Sequence, residues 1–324
     1  MGADTRADIE TQETTASWPL TVVSVDVGGT KIAVATVLYK HEGGAPSIPW
    51  KIEVPTKAQR GGDAVLETIV EAVREGMGHA TTPVAGIGVG TAGRVRVDDG
   101  SIAYAVESIM PGWAGQPVKA RLLQEFGIPL AVMGDVQAHA LGEARWGAAQ
   151  GADTCIVLAP GTGMGGGFIC HGRIVLGAHG FAGEVGATLN PLDGGGAVLE
   201  SVASGSGIEA RYEDLTGEHV SGAEISHRAY EGDEAARKVI EDAGRALGIA
   251  LAGWVNVFDP DVAVVSGSVT KAGVLWHDAL HKAYEAHVPA VLADLSIVEA
   301  GLGSDAPLIG ASQYLLDSLG MGGR

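Results

Sequence analysis

One short pattern, present twice, constrains this chain more than any other feature. Leu20 to Val27 is β-branched and apolar, breaks at Gly28-Gly29-Thr30 and resumes from Ile32 to Tyr39. About 130 residues later, Thr154 to Ala159 breaks at Gly161-Thr162-Gly163 and is followed by Gly166 to Cys170 and Arg173 to Leu176. Each copy reads as strands joined by a tight glycine turn. Together they predict a duplicated fold; two unrelated glycine-rich hairpins are the plainer alternative. Trp50 to Val54, Val84 to Val89 and Pro129 to Met133 read as further strands. Val65, Ile69, Val73 and Met77 recur every four residues, one face of a helix over Asp63 to His79. The second half continues with a helix over Glu234 to Phe258, a strand at Val262 to Ser266 and a helix over Val274 to His287. A strand at Leu295 to Val298 and a helix from Pro307 to Leu319 close the chain. This alternation predicts an α/β protein. No low-complexity linker separates the halves, so two domains sharing an interface are expected, behind a disordered leader over 1–17.

Composition removes several function classes. The 324 residues include 39 Asp and Glu against 21 Lys and Arg, a net charge of −18. Such an acidic chain excludes nucleic acid and anionic membrane as its main partners, since both need a basic footprint. With 46% hydrophobic and 19% charged residues the chain is not disordered. No run of about 18 apolar residues occurs, so no helix spans a membrane. Cys155 and Cys170 are the only cysteines, which excludes a disulfide framework and a Cys-rich metal site. Two free thiols buried in strands fit a reducing, cytoplasmic setting. Met1 to Ser17 lacks the basic-then-apolar order of a signal peptide, and Arg6 stands where a myristoylation signal needs Ser or Thr.

The chemistry concentrates at the two turns. Asp26-Val27-Gly28-Gly29-Thr30-Lys31 puts a carboxylate at a strand end, then two residues without side chains, then a hydroxyl and an amine. A phosphate needs close backbone N–H donors, and Thr30 and Lys31 would add side-chain donors. Asp26 would repel a phosphate directly, so its expected role is to hold Mg²⁺ or that ion's water shell. Gly161-Thr162-Gly163-Met164-Gly165-Gly166-Gly167 offers the same equipment in the other half. Its G-x-G-x-x-G match continues into Phe168-Ile169-Cys170 rather than opening a helix, so it is not a dinucleotide fingerprint. No Gly-Lys-Ser/Thr follows, so it is not a Walker loop either. Two matched hairpins could instead grip a nucleotide's phosphates between two domains.

At this point the chain resembles the ROK family of sugar kinases, within the actin-like, ribonuclease H-like ATPase superfamily. The resemblance runs from about Leu20 to Leu319. It rests on both glycine turns, on Pro111-Gly112-Trp113, and on Asp135 with Ala140-Leu141-Gly142-Glu143. It rests equally on Gly183-Glu184-Val185-Gly186, on Leu199-Glu200 with Ser204-Gly205, and on Asp259-Pro260 leading to Ser266-Gly267-Ser268. The resemblance implies a two-domain fold with an interdomain cleft, the small domain being 18–134 plus 307–324 and the large one 135–306. It also implies a homodimer, and transfer of the γ-phosphoryl group of ATP, with Mg²⁺, to a sugar hydroxyl, commonly on C6 of a hexose. Asp135 matches the catalytic aspartate that accepts the hydroxyl proton; a bare helix N-cap, with the helix starting at Val136, is its other reading. Glu184 and Glu200 match carboxylates that bind sugar hydroxyls, which suits acceptor-only groups. Gly28, Gly29, Gly161, Thr162, Gly163, Gly267 and Ser268 fall at nucleotide-binding positions.

The chain also departs from the family. The resemblance places a zinc site on one His and three Cys, and those positions hold Ala187, Pro191, Asp193 and Val198. No soft donor remains, so no structural zinc is expected, and Gly194-Gly195-Gly196 predicts a mobile loop. His277, His281 and His287 lie beside Asp278, Lys282 and Glu285 and read as a solvated helix face, not as replacement ligands. Two asparagines of the family's sugar pocket are replaced by Ile109 and Gly134, and the motif histidine by Ala187. Lost hydrogen-bonding groups predict a pocket retuned toward a bulkier or less hydroxylated ligand than glucose. Glu107, Ser108 and Gln137, along with the space at Gly134, are the expected replacement contacts. Other functions on the same fold are a sugar-binding sensor or regulator, and an actin-like structural ATPase. A DNA-binding repressor would need an N-terminal helix-turn-helix, for which the leader is too short.

Overall fold

The architecture comes from a computed structural model that describes residues 17–192, 194 and 196–323. The leader assigned to 1–17 therefore lies, apart from Ser17, outside the described residues. The first half contains β1 (Leu20–Val27), β2 (Lys31–Tyr39), β3 (Ser47–Pro55), α1 (Gly62–Gly78) and β4 (Val84–Thr91). It continues with β5 (Arg94–Val95), β6 (Ile102–Tyr104), α2 (Val118–Phe126), β7 (Leu130–Gly134) and α3 (Asp135–Trp146). The second half has β8 (Cys155–Pro160), β9 (Met164–Cys170), β10 (Arg173–Ile174), α4 (Glu200–Ala203), α5 (Gly205–Thr216) and α6 (Gly222–Tyr230). It ends with α7 (Glu234–Phe258), β11 (Val262–Val265), α8 (Val274–Glu285), β12 (Ser296–Glu299) and α9 (Ala306–Ser318).

The duplication is real at the level of topology. One five-stranded sheet runs β3-β2-β1-β4-β7 and the other β10-β9-β8-β11-β12. In each, the hairpin strands are antiparallel and the next two strands add in parallel to the first. The strand expected over Arg173 to Leu176 is shorter, in register with β9 at Arg173 and Ile174, with the Val175 N–H still donating to the Phe168 carbonyl at 2.8 Å. Cys155 is buried in β8, whereas Cys170, at the end of β9, is only half-buried, against the expectation of two buried thiols.

Apolar faces decide which helix covers which sheet. Val65, Ile69 and Val73 of α1, the period-four stripe, pack with Val23, Val25 and Ile87 on one face of the first sheet. Leu315 and Leu316 of α9 cover its other face, against Val22, Val37 and Ala131. Val239, Leu247 and Leu251 of α7 cover the second sheet at Ile156, Leu158 and Ala263. Ala140, Leu141 and Ala144 of α3 fill the opposite face, against Val157 and Val264. Thus α3 and α9 lie between the two sheets and meet each other.

They meet at backbone distance. A Cβ at Gly310 would stand 1.7 Å from the Ala138 carbonyl oxygen, and one at Gly142 would stand 2.2 Å from that of Ala306. Only glycine allows this approach. Gly310→Ala is therefore expected to push the helices apart and cost about 1–3 kcal/mol, the usual overpacking range. Thermal denaturation checks this; an unchanged Tm would show that the crossing yields freely.

Candidate active site

Parallel strands present their carboxyl ends at one edge of a sheet, where ligands of open α/β folds bind. On the first sheet this edge brings together Asp26 of β1, Gly90 and Thr91 of β4, and Gly134 of β7, with Asp26 in register with Gly90 and Thr91 with Gly134. Asp135 follows directly as the first residue of α3. A Cβ at Gly90 would lie 3.6 Å from the Asp135 Cα and 3.7 Å from the Val25 carbonyl oxygen. The absence of a side chain there leaves the two aspartates in each other's field. Burial and the Asp135 carboxylate push Asp26 up to about 7, with Lys31 pulling weakly the other way. Burial likewise raises Asp135, opposed by the Val136 N–H and by Arg94.

The helix-cap reading of Asp135 needs correcting. The cap position is Gly134, and Asp135 is already helical, its Oδ1 accepting from the Val136 N–H at 2.8 Å. Val136 packs at the start of β9, since a Cβ at Gly165 would lie 2.9 Å from its Cγ2. The aspartate thus stands where the first sheet meets the second hairpin.

Each glycine turn is built for close approach. In the first, the Gly28 N–H donates to the Lys31 carbonyl at 2.9 Å, and Thr56 Oγ1 donates to the Gly28 carbonyl at 2.7 Å. A Cβ at Gly29 would lie 2.7 Å from Ile109 Cγ2, so Ile109 sits over the turn. Thr30 and Lys31 are exposed. The Lys31 amine pairs with Glu53 at 2.7 Å, so a phosphate would have to recruit it from that partner.

In the second turn, the Gly161 N–H donates to the Gly163 carbonyl at 2.9 Å. Glu200 Oε2 accepts from the Met164 N–H at 2.7 Å and would stand 2.9 Å from a Cβ at Gly163. Gly267, at φ +84, rests against the Pro160 carbonyl. The N-terminus of α5 abuts the same turn through the Gly205 N–H to the Gly161 carbonyl at 2.7 Å and Ser206 Oγ to the Thr162 carbonyl at 2.8 Å. Beside this junction opens a cavity of about 390 Å³, lined among others by Thr162, Ser206, Glu209, Ser226, Ser268 and Lys271. Ser206, Glu209, Ser226 and Lys271 were not singled out by the sequence. The run Ser204-Gly205-Ser206-Gly207, where Ser204 caps α5, was the available signal.

Several expected sugar contacts are already engaged by the chain. Gln137 is buried; its Nε2 donates to the carbonyls of Ala182 (2.9 Å) and Gly180 (3.4 Å), and its Oε1 accepts from the Gly134 N–H (3.3 Å). Glu184 forms an ion pair with Arg94 of β5, a residue that the sequence did not single out. The carboxylate of Glu107 accepts from the Gly112 N–H at 3.1 Å, and Glu107 and Ser108 are exposed. Trp113 is fully buried, its indole donating to Ala92 and Thr91, which anchors this loop below β4.

Where the resemblance places zinc ligands, the chain closes on itself. The Asn190 N–H donates to the Ala197 carbonyl (2.8 Å) and the Leu199 N–H to the Thr188 carbonyl (2.7 Å), flanking a Leu189–Val198 bridge. Asp193 and Gly195, part of the loop expected to be mobile, lie outside the described residues. Among the described residues no group of three or more His, Cys, Asp or Glu is placed to hold a metal ion. Of the three histidines expected on a solvated face, His287 is exposed, whereas His277 Nε2 donates to the Thr270 carbonyl at 3.0 Å and His281 is half-buried. No described helix is long and apolar enough to cross a membrane.

Two sheets of one duplicated topology, two glycine turns and an aspartate at the junction define a protein of the actin-like ATPase class. Comparison with known proteins narrows this further. The ROK family model matches residues 22–318, and the chain belongs to the ROK family. A glucokinase of Halalkalibacterium halodurans is 32% identical over 313 residues, 89% of this chain and 92% of that one. The crystal structure of a ROK hexokinase from Thermus thermophilus superposes with a TM-score of 0.79 at 32% identity, covering 90% of this chain and 96% of that one. A ROK family glucokinase from Streptomyces griseus, in complex with glucose and AMPPNP, gives a TM-score of 0.72 at 29% identity, covering 91% and 98%.

Proposed function

We propose that this chain transfers the γ-phosphoryl group of ATP to a hydroxyl of a hexose or hexose derivative, the C6 hydroxyl being the expected acceptor. The observation that carries the reading is the placement of Asp135 beside Asp26, at the strand ends and against the second hairpin. The glucokinase relatives, one of them holding glucose and an ATP analogue, support the same chemistry. Asp135 takes the acceptor proton; the hydroxyl oxygen bonds to the γ-phosphorus as its bond to the β–γ bridging oxygen breaks, releasing ADP. Asp26, paired in field with Asp135, is an all-oxygen donor set that suits Mg²⁺, with phosphate and water supplying the other donors. When bound, that ion neutralises charge on the phosphates. The turns at Gly28–Lys31 and Gly161–Gly163 take the phosphates, Gly267 and Ser268 adjoin them, and the cavity beside α5 takes the nucleoside. We assign the lobes to 18–134 with 307–324 and to 135–306, meeting across this cleft.

Glu200 and Glu184 bind the acceptor sugar in this scheme, and Gln137 shapes the pocket wall rather than touching it. Ile109, Gly134 and Ala187 offer no side-chain hydrogen bond to a hydroxyl. Glucose is therefore expected to be a poor substrate, with kcat/KM about 10-fold or more below the best sugar. A coupled ADP-release assay over a sugar panel tests both claims. Fast, tight glucose phosphorylation would overturn the retuned pocket. Sugars that raise Tm without eliciting ADP release would overturn the kinase and leave a binding protein.

A further inference from the structure

Arg94 is the cation of the acceptor side of this site, and no motif announced it. It lies in β5, in the first half of the chain, and Glu184 lies beyond β10 in the second. They meet because Gly180, at φ +79, lets its loop settle on β5, where a Cβ would stand 2.1 Å from the Val95 carbonyl oxygen. Gln137 of α3 ties that loop down through the Gly180 and Ala182 carbonyls. The side chains of Arg94 and Glu184 are 21% and 34% exposed, so the pair is largely shielded from water.

The guanidinium is only partly used. Its Nη2 pairs with Glu184 Oε2, and its Nη1 donates to the Gly93 carbonyl at 3.1 Å. Its Nε is buried and finds no acceptor among the described residues. The charged groups that share this place with it, Asp135 and Glu184, are acceptors that a polyol also needs. Around it, Gly134 and Ala187 contribute no side-chain donor.

We propose that Arg94 is a substrate-positioning residue: its guanidinium holds the Glu184 carboxylate across the cleft, oriented to accept from hydroxyls of the acceptor sugar. This rests on the reading of the site as a sugar pocket. Arg94 and Glu184 then act as a fixed pair, the carboxylate set in place before the sugar arrives, in a pocket where Gly134 and Ala187 supply no side-chain hydrogen bond. The ligand class that this pair fits is a neutral sugar, since Asp26, Asp135, Glu184 and Glu200 outnumber one arginine and disfavour an acidic one.

The test measures sugar Kd by titration calorimetry, and sugar and nucleotide KM by ADP release, for wild type, Arg94→Met and Arg94→Lys. Arg94→Met is expected to weaken sugar binding and raise sugar KM about 10- to 100-fold, with nucleotide KM within about twofold. Arg94→Lys keeps a charge for Glu184 on a more flexible stem, so its sugar KM should lie above that of wild type and below that of Arg94→Met. Arg94→Met combined with Glu184→Gln should weaken sugar binding by less than the product of the two single effects. If Arg94→Met does not fold, the lysine variant decides: wild-type sugar KM there overturns the proposal. Sugar Kd unchanged in Arg94→Met, or nucleotide and sugar KM raised alike, overturns it too. Sugars that bind wild type and Arg94→Met equally sink this proposal alone, whereas a wild type that binds no sugar sinks the sugar pocket with it.

Discussion

Asp135→Asn is expected to lower kcat by about 10²- to 10⁴-fold, the usual contribution of a positioned general base, while sugar and nucleotide still bind. Asparagine keeps the shape of the side chain and an Oδ1 to accept from the Val136 N–H, as Asp135 does at 2.8 Å. It removes the ability to take a proton. It also removes the like charge that raises Asp26, so the variant should fold at least as well as wild type. ADP release at saturating sugar and ATP, beside calorimetric binding of the sugar, separates the two effects. A variant within about threefold of wild-type kcat would show that the proton leaves by another route.

The largest loss of stability is expected away from the chemistry, at Glu143. This residue of α3 is fully buried, and its carboxylate accepts from the N–H groups of Ala148 (2.9 Å), Gly301 (2.9 Å) and Leu302 (2.8 Å). It therefore staples the end of α3 to the segment after β12. Glu143→Ala strands three part-buried donors and leaves a void. A cost of about 3–5 kcal/mol follows, or a Tm lower by about 4–8 °C. Glu143→Gln, which keeps one acceptor oxygen, should lose less. Equal Tm values for wild type and alanine would mean that water replaces the carboxylate at no cost.

How far the sequence revealed this molecule depended on whether a feature was local. The strands of both hairpins, the stripe of α1 and the span of α7 were legible because apolar period alone defines them. Both turns were legible because glycine and threonine cluster within a few residues, with an acid, Asp26, just before the first. The pair β5 and β6 was not, since two or three residues carry no period. Helix α5 was hidden by its first three residues, Gly205-Ser206-Gly207, which are poor helix formers. Gly207 is nonetheless required, because a Cβ there would lie 2.6 Å from the Glu200 carbonyl oxygen. Site residues followed the same rule. Asp26 announced itself at a strand end, and Asp135 through the family resemblance. The engagement of Gln137 and the partnership of Arg94 with Glu184 depend on a loop folding back over β5, across some 90 residues of chain.

The crossing of α3 and α9 has a mechanical corollary. Helices that touch through leucine or isoleucine interlock, ridge in groove, and turn only in steps set by those ridges. At Gly142 and Gly310 there are no ridges, only carbonyl oxygens resting against bare Cα atoms. Each helix carries its own sheet, so the halves meet on a smooth contact that is pinned at one end, where Arg145 and Trp146 of α3 bind Asp317 and Gln313 of α9 at 3.0 Å.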